Sequence, residues 1–577
     1  MRDYRFIRKH CSAVARRLMD DFDSKRRPLL TEVAREFYPI GVSGLAKGVE
    51  EVADECPYDG DRRYLTTRPM DCLRKGAAGF HGNLTSPARR WFRLRGNSFA
   101  HGDDARDGGD GGVFDRLTEA TEWAFQRGGV YPMLYKLYEH CLCFGFGCML
   151  VTRDPERIVR ARTLRVGTYA MGVGEDGQVC RVARRFSWTA EQILREFGMD
   201  STPKSVRDAA ERGDGRTRWT VWNLVEPNAT GDLRACDRVA QEIGLGDGMV
   251  YRSVYWLEKA NDDDPQSGVL EISGFSVRPI IAPRMDYELG DTYGRGRGID
   301  GLDLARGVQS FEYDILKISG NRAQPAVIAS SEFKEAGLRL GRGQVNYARF
   351  GEGRNALVVP ALASPPDSGE TRACLQEAGN ELADLFFNTA FATIDALKNN
   401  AGVKTATEID ALVRENMERL NPVVTNFDRE LLDPLVSVVT RYTIQSGICP
   451  LDDDDLARLD GANIEYVSQI HLAAKQSQMS SLTQWIQFVG GLAQAKPQAL
   501  DLVDEDGASL AYAEMLGVPA KCITPKDAAD EMRAARAEQA AAQTQMAAMA
   551  EAAKIGAMPT DEGHAGGILA RGLGAGQ

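Results

Sequence analysis

ELGDTYGRGRGIDGL, residues 288–302, sets glycines at 290, 294, 296, 298 and 301 beside two arginines and three carboxylates, and then runs into a helix-like pattern. Glycine-rich turns ahead of helices often cradle phosphates on the free amides of the first turn. A Walker-type phosphate loop needs GxxxxGK[ST], and GRGRG has neither the lysine nor the hydroxyl. The other reading is geometric: glycines let a chain turn where side chains would collide. The first reading makes this a nucleotide-using protein. The second makes the run a device that only sets the geometry of the chain.

Downstream of the run, Leu304, Val308, Phe311, Ile315 and Ile318 recur at 4-3-4-3 spacing, a narrow heptad seam that packs on a neighbouring helix. Residues 322–363 are glycine-rich and β-like. A second helix is expected from about Glu370 to Phe391, with Leu375, Ala378, Leu382 and Leu385 on one face, ended by IDALKNNAGVK at 394–404. Thr405-Ala-Thr-Glu408 has capping-box spacing and opens the longest helical pattern in the chain. Its stripe is Ile409, Leu412, Met417, Leu420, Val424, Phe427, Leu431, Leu435, Val439 and Tyr442, and it keeps phase across Pro422 and Pro434. That predicts one kinked helix, about 60 Å long at ~1.5 Å per residue, which suits an element bracing an assembly. LDDDDLARLD (451–460) reads as an acidic connector, followed by helices at about 470–495 and 508–517. Residues 526–555 have a strong helix composition with no bulky stripe, and the tail beyond Pro559 reads as flexible.

Upstream, residues 4–40 and 65–84 read as helices, and LTSPARRWFRL (84–94) turns extended after Ser86-Pro87. A polar loop, HGDDARDGGDGG (101–112), precedes helices from Phe114 to about Gly145, interrupted near Gly128–Gly129. Alternation then takes over. MLVTRD, RIVRARTLRV, VCRVARRFSW, RWTVWNLVE, MVYRSVYWLE and VLEISGFSVRPII read as strands, GEDGQ (174–178) as a hairpin turn, and Thr189-Ala-Glu-Gln192 as a capping box. The expected class is α+β, mainly α.

A chain of 577 residues predicts several domains, and 43 % apolar with 26 % charged residues is ordinary for a globular protein. No apolar run reaches the roughly 18–20 residues of a membrane span, so no membrane partner is expected. MRDYRFIRKHC has neither the apolar core nor the cleavage site of a secretory signal. Eleven cysteines are scattered without a CxxC. His140, Cys141, Cys143 and Cys148 form the closest grouping, without zinc-knuckle spacing, and the cysteines read as buried free thiols on an apolar helix in a reducing compartment. Net charge is −12, but the first 100 residues carry 20 Lys+Arg against 13 Asp+Glu, leaving −19 for the rest. Such a surface repels duplex DNA over most of its extent, without excluding a protein that surrounds DNA and does not grip it.

GxSxG, HExxH and the kinase motifs are absent, and six histidines are spread over the chain. No catalytic residue and no cofactor are expected. Asp286, Glu288 and Asp291 read either as ligands of a divalent ion or as solvated turn residues. The aromatic residues of the strands read either as base-stacking platforms or as core.

Three motifs, in order across about 360 residues, resemble those of the portal proteins, the head-to-tail connectors of short-tailed bacteriophages. GAAGFHGNLTSPARRWFRL (76–94) resembles that family's "AG…LTSPARPWFRL" segment, with Arg90 where proline is expected. YGRGRGIDGL resembles its "YGRGPG" followed by a helix, and Asn321-Arg-Ala-Gln-Pro325 its "QPA"-like strand start. KTATEI (404–409) and RELLDPLV (429–436) resemble its "TATEV…ELLDPL" helix.

The resemblance implies a homo-oligomeric ring, usually of twelve subunits, at one capsid vertex. Double-stranded DNA passes through it during packaging and ejection, and it docks a terminase motor, capsid or scaffolding protein, and tail adaptors. It implies an α/β wing at 1–298, stem helices at 299–320 and 370–391, a β-containing clip at 321–369, and a tunnel loop at 392–403. A long wing helix with the acidic connector follows at 404–469, then a helical crown at 470–535 and a tail at 536–577. Gly290, Gly294, Gly296 and Gly298 become the wing–stem hinge. Leu304, Val308, Phe311, Ile315, Ile318, Leu375, Leu382 and Leu385 become subunit-interface residues. Lys398, Asn399, Asn400 and Lys404 become the tunnel-loop groups nearest DNA. The implied location is the virion, and the host cytoplasm during assembly. The rivals are a Mg-dependent nucleic-acid-processing enzyme using Asp286, Glu288 and Asp291, and a tail adaptor that binds a ring without forming one.

Overall fold

A computed structural model describes residues 2–51, 64–95, 111–228, 242–323 (apart from 246, 247 and 262), 327–329, 358–360, 368–398, 406–451 and 463–468. It also describes scattered residues from 470 to 524 and the helix Lys526–Gly556. The class is α+β, mainly α.

The body is built on antiparallel strands. Tyr169–Val173 and Val179–Thr189 form a hairpin around GEDGQ, and the sheet continues through Arg218–Pro227, Tyr251–Leu257 and Val269–Phe275. Glu50–Glu51 adds a short parallel pairing at Phe186 and Ser187. The segment read as one strand, VLEISGFSVRPII, divides: Ile280–Ile281 leaves this sheet and pairs with Met149–Asp154, which pairs with Ile158–Thr163. Trp222 and Trp256 lie nearly parallel, 6.1 Å apart, and buried, so these two strand aromatics are core. The capping box at Thr189 forms with both of its hydrogen bonds.

Helices Tyr4–Lys25, Arg27–Phe37, Arg68–Leu84, Gly111–Arg127 and Val130–Phe144 pack over these strands around one large apolar core. Cys141, Cys143 and Cys148 are fully buried in it, and burial pushes the Cys148 thiol up to about 12. Among the described residues no group of His, Cys, Asp or Glu is arranged to hold a metal ion, and no helix is long and apolar enough to cross a membrane.

The long helix runs through Ala406–Phe427, Asp428–Leu432 and Asp433–Gln445 without leaving helical hydrogen bonding. Its irregularity is a π turn at Asp428–Leu432, between the two prolines where kinks are expected. From Leu420 onward the predicted stripe, Val424, Phe427, Leu431, Leu435, Val439 and Tyr442, is buried against this chain's own core. This half of the helix therefore serves the fold of a single subunit. A second tie comes from far along the chain: Asn463–Tyr466 pairs antiparallel with Phe92–Arg95, and Trp91 stacks parallel to Tyr466. Arg90, which departs from the family motif, donates a two-pronged pair to Glu122 at 3.0 and 3.2 Å. Burial pushes the Glu122 carboxyl up against that pull.

Candidate assembly joint

The helix Val130–Phe144 ends at Gly145, which is left-handed (φ +89°) and donates its N–H to Cys141 at 2.8 Å. The returning chain at 283–285 lies alongside: Gly147 donates to the Pro283 carbonyl, and Met285 to that of Gly145 at 2.7 Å. The glycine run then crosses this corner backbone to backbone. A Cβ on Gly294 would lie 2.0 Å from the Met285 carbonyl oxygen, and one on Gly296 would lie 2.2 Å from the Gly145 nitrogen. One on Gly298 would lie 2.4 Å from the Cys143 carbonyl oxygen. Only Gly290 needs its residue type for conformation, with φ +99° and open space around it.

The geometric reading of the run is therefore the one the structure supports. The helix start at Arg297–Asp300 is a single turn, and the backbone of Cys143–Gly145 fills the space a phosphate would need. Arg297 pairs with Asp286 at 3.0 Å, and both Arg295 and Arg297 pair with Asp300. The same contacts engage the carboxylates read as metal ligands. Asp286 is engaged by Arg297, while Asp291 accepts the Glu288 amide and gives its own carbonyl to Arg284, so the three carboxylates do not converge.

Arg284 locks the corner. It is 1 % exposed, and its guanidinium donates to Glu430 at 2.5 and 3.3 Å, to the Asp291 carbonyl at 2.7 Å and to the Gly177 carbonyl at 2.8 Å. One side chain joins the glycine run, the GEDGQ turn and the π turn of the long helix. The π turn also places Asp428 2.9 Å from His471 Nε2, and Asp433 just beyond it accepts the Tyr466 hydroxyl.

Beyond the joint the chain enters a helical hairpin, Leu302–Ala323 and Ser368–Leu385. Its root is in the main core through Leu302, Ala305 and Leu382. Its outer part closes over Val308, Ile315, Leu375 and Ala378, with Leu304 and Phe311 packed on them. The residues expected at subunit interfaces thus meet each other within one chain, because the two seams face one another across the hairpin. Ile318 and Leu385 stay partly exposed at its ends. The outward side carries Tyr313 and Leu316, 54 % and 52 % exposed, and an acidic row on the second helix: Glu370, Glu377, Glu381 and Asp384.

The second helix is not continuous to residue 391. It stops at Leu385, and Phe386 and Phe387 plunge into the core against Phe37 and Phe80. Burying both neighbours forces Phe387 into a left-handed conformation (φ +62°), and a new helix, Asn388–Lys398, follows. The first seven residues of the expected tunnel loop, 392–398, are therefore helical. Asn399, Asn400 and Lys404 lie outside the described residues. So does most of the β-like insert, in which Val327–Ala329 pairs with Val358–Pro360.

Residues 18–523 match the family model for the bacteriophage head to tail connecting protein, and the chain belongs to that family. The chain is 29 % identical to a portal protein of Salmonella phage epsilon15 over 488 residues, 84 % of each chain. It is 26 % identical to a probable portal protein of Bordetella phage BPP-1, over 88 % of this chain and 89 % of that one. A solved chain from the virion of a native gene transfer agent particle aligns over 83 % of this chain and 99 % of its own, at 13 % identity and a TM-score of 0.32, too distant to bear on the arrangement of parts.

Proposed function

We propose that this connector acts as a portal: copies close head to tail into a ring, twelve by the family's habit, at one capsid vertex, and double-stranded DNA passes through the hole. Terminase, capsid or scaffolding protein and tail adaptors dock on it, in the virion and earlier in the host cytoplasm. The observation that carries the ring is the hairpin's outer face. With its seam already closed inside one chain, Tyr313 and Leu316 remain as an exposed apolar pair on the helix's otherwise polar outer face, and a heterologous contact with the next subunit would bury them. The acidic row Glu370, Glu377, Glu381 and Asp384 suits a surface that DNA slides past, since like charge keeps the backbone from sticking. The glycine run is the joint between wing and stem in this reading. The protein is not an enzyme in this reading. The crowded glycine run leaves no room there for a nucleotide phosphate, and in this reading the energy for translocation comes from a separate motor.

Negative-stain images of the purified chain test the ring. Wild type is expected to show a ring with a central hole, and the double variant Tyr313→Glu, Leu316→Glu to be folded but dispersed. A wild type that stays a monomer at every concentration overturns the proposal. DNA binding by the free protein is expected to be weak and to vanish with added salt.

A further inference from the structure

Between the helix Val130–Phe144, the turn Pro39–Gly41 and the strand Ile158–Thr163 lies a cavity of about 250 Å³, in a part of the molecule that the ring reading does not use. Its polar lining is Tyr38, Glu50, Lys136, His140, Thr163 and Arg165. Most of these groups are engaged. Glu50 accepts Arg162 at 2.8 Å, Lys136 pairs with the buried Glu139 at 2.6 Å, and Thr163 donates to the Met133 carbonyl. Arg165 is bound to a neutral partner, the Ser43 hydroxyl, at 3.2 Å, so its positive charge is not balanced by those pairs. His140 is 5 % exposed, and its buried Nδ1 has no hydrogen-bond partner.

That nitrogen is closed to solvent, so it is the rest of the ring that lines the cavity. Burial, with Lys136 and Arg165 beside it, holds the His140 pKa down to about 3, so the ring is neutral and carries one N–H. A neutral imidazole beside an ammonium and a guanidinium suits an oxygen-bearing anion, whose charge the two cations would offset. The volume is several times the roughly 30 Å³ share of one water, enough for a tetrahedral ion but too small for a duplex. We propose that this cavity, lined by His140, Arg165 and Lys136, binds one small oxyanion of the phosphate class.

Equilibrium dialysis of the full chain with radiolabelled inorganic phosphate, at constant ionic strength in chloride, tests this. The expected result is one saturable site per chain. Arg165→Gln and Lys136→Gln should each weaken it by at least about tenfold, the worth of one charge-assisted contact. Glu50→Gln should tighten it, because a carboxylate leaves the cavity. That variant keeps the test open if Arg165→Gln fails to fold. An excess of short duplex DNA should not displace the phosphate. Absence of saturable binding in wild type, which would mean a water-filled void only, overturns the proposal. So do affinities unchanged across all three variants, and displacement by duplex. Because the cavity lies away from the hairpin, loss of rings with phosphate binding intact would leave this inference standing.

Discussion

The joint at residues 283–300 and the hairpin it launches are neighbours in sequence but opposites in construction. At the joint, main chain lies on main chain and a buried arginine is paired on several sides. The outer hairpin is held by one thin apolar seam, Val308 and Ile315 against Leu375 and Ala378, and by polar ties from Arg306 to Glu32 and from Gln309 to the Leu65–Thr66 backbone. The first needs nothing from outside the subunit. The second exposes an aromatic and a leucine and has a single apolar layer and a few polar ties to hold it. The contrast teaches where the molecule can give: the hairpin can adjust to its neighbours while the corner that aims it stays fixed.

Substitutions should separate the two regions by size of effect. Gly296→Val is the most severe. Its side chain would enter the Gly145 backbone, and a loss of more than about 4 kcal/mol is expected, read as insoluble protein or a collapsed denaturation midpoint. Glu430→Ala strands Arg284 in the core and should cost about 3–5 kcal/mol by urea denaturation. Glu430→Gln should cost less, because it still accepts a hydrogen bond. Leu375→Ala should cost about 2–3 kcal/mol, and the loss should be local. Hydrogen exchange is expected to quicken in 302–323 and 368–385 while Val130–Phe144 stays protected. Equal quickening in both would erase the contrast. Gly290→Ala should cost only about 1 kcal/mol, from its positive φ alone, since nothing crowds it.

Periodic features of this architecture can be read without coordinates. The 4-3-4-3 seam, the GEDGQ turn, the Thr189 capping box and the phase of the long helix through Tyr442 depend on residues a few positions apart. What escaped depends on partners far away in the chain. Arg284 and Glu430 are separated by 146 positions, and nothing local marks either as half of a buried pair. The break at Phe386–Phe387 is also long-range. The segment keeps a helical pattern, and only the pull of Phe37 and Phe80 on two adjacent rings makes it turn. The seam shows the complementary failure: its spacing announces a partner helix but not whose, and the partner is in the same chain. The cavity at His140 has no signature in sequence, since its lining comes from separate segments between Tyr38 and Val166.

The strand Asn463–Tyr466 completes a ladder begun by Phe92–Arg95. A ribosome must therefore make most of the polypeptide before that early edge is covered. Until then Trp91 and Phe92, both buried in the finished subunit, stand without the neighbour that shields them. Nascent chains stopped before residue 463 should accordingly be sticky, and a late truncation would damage the beginning of the molecule as much as its end.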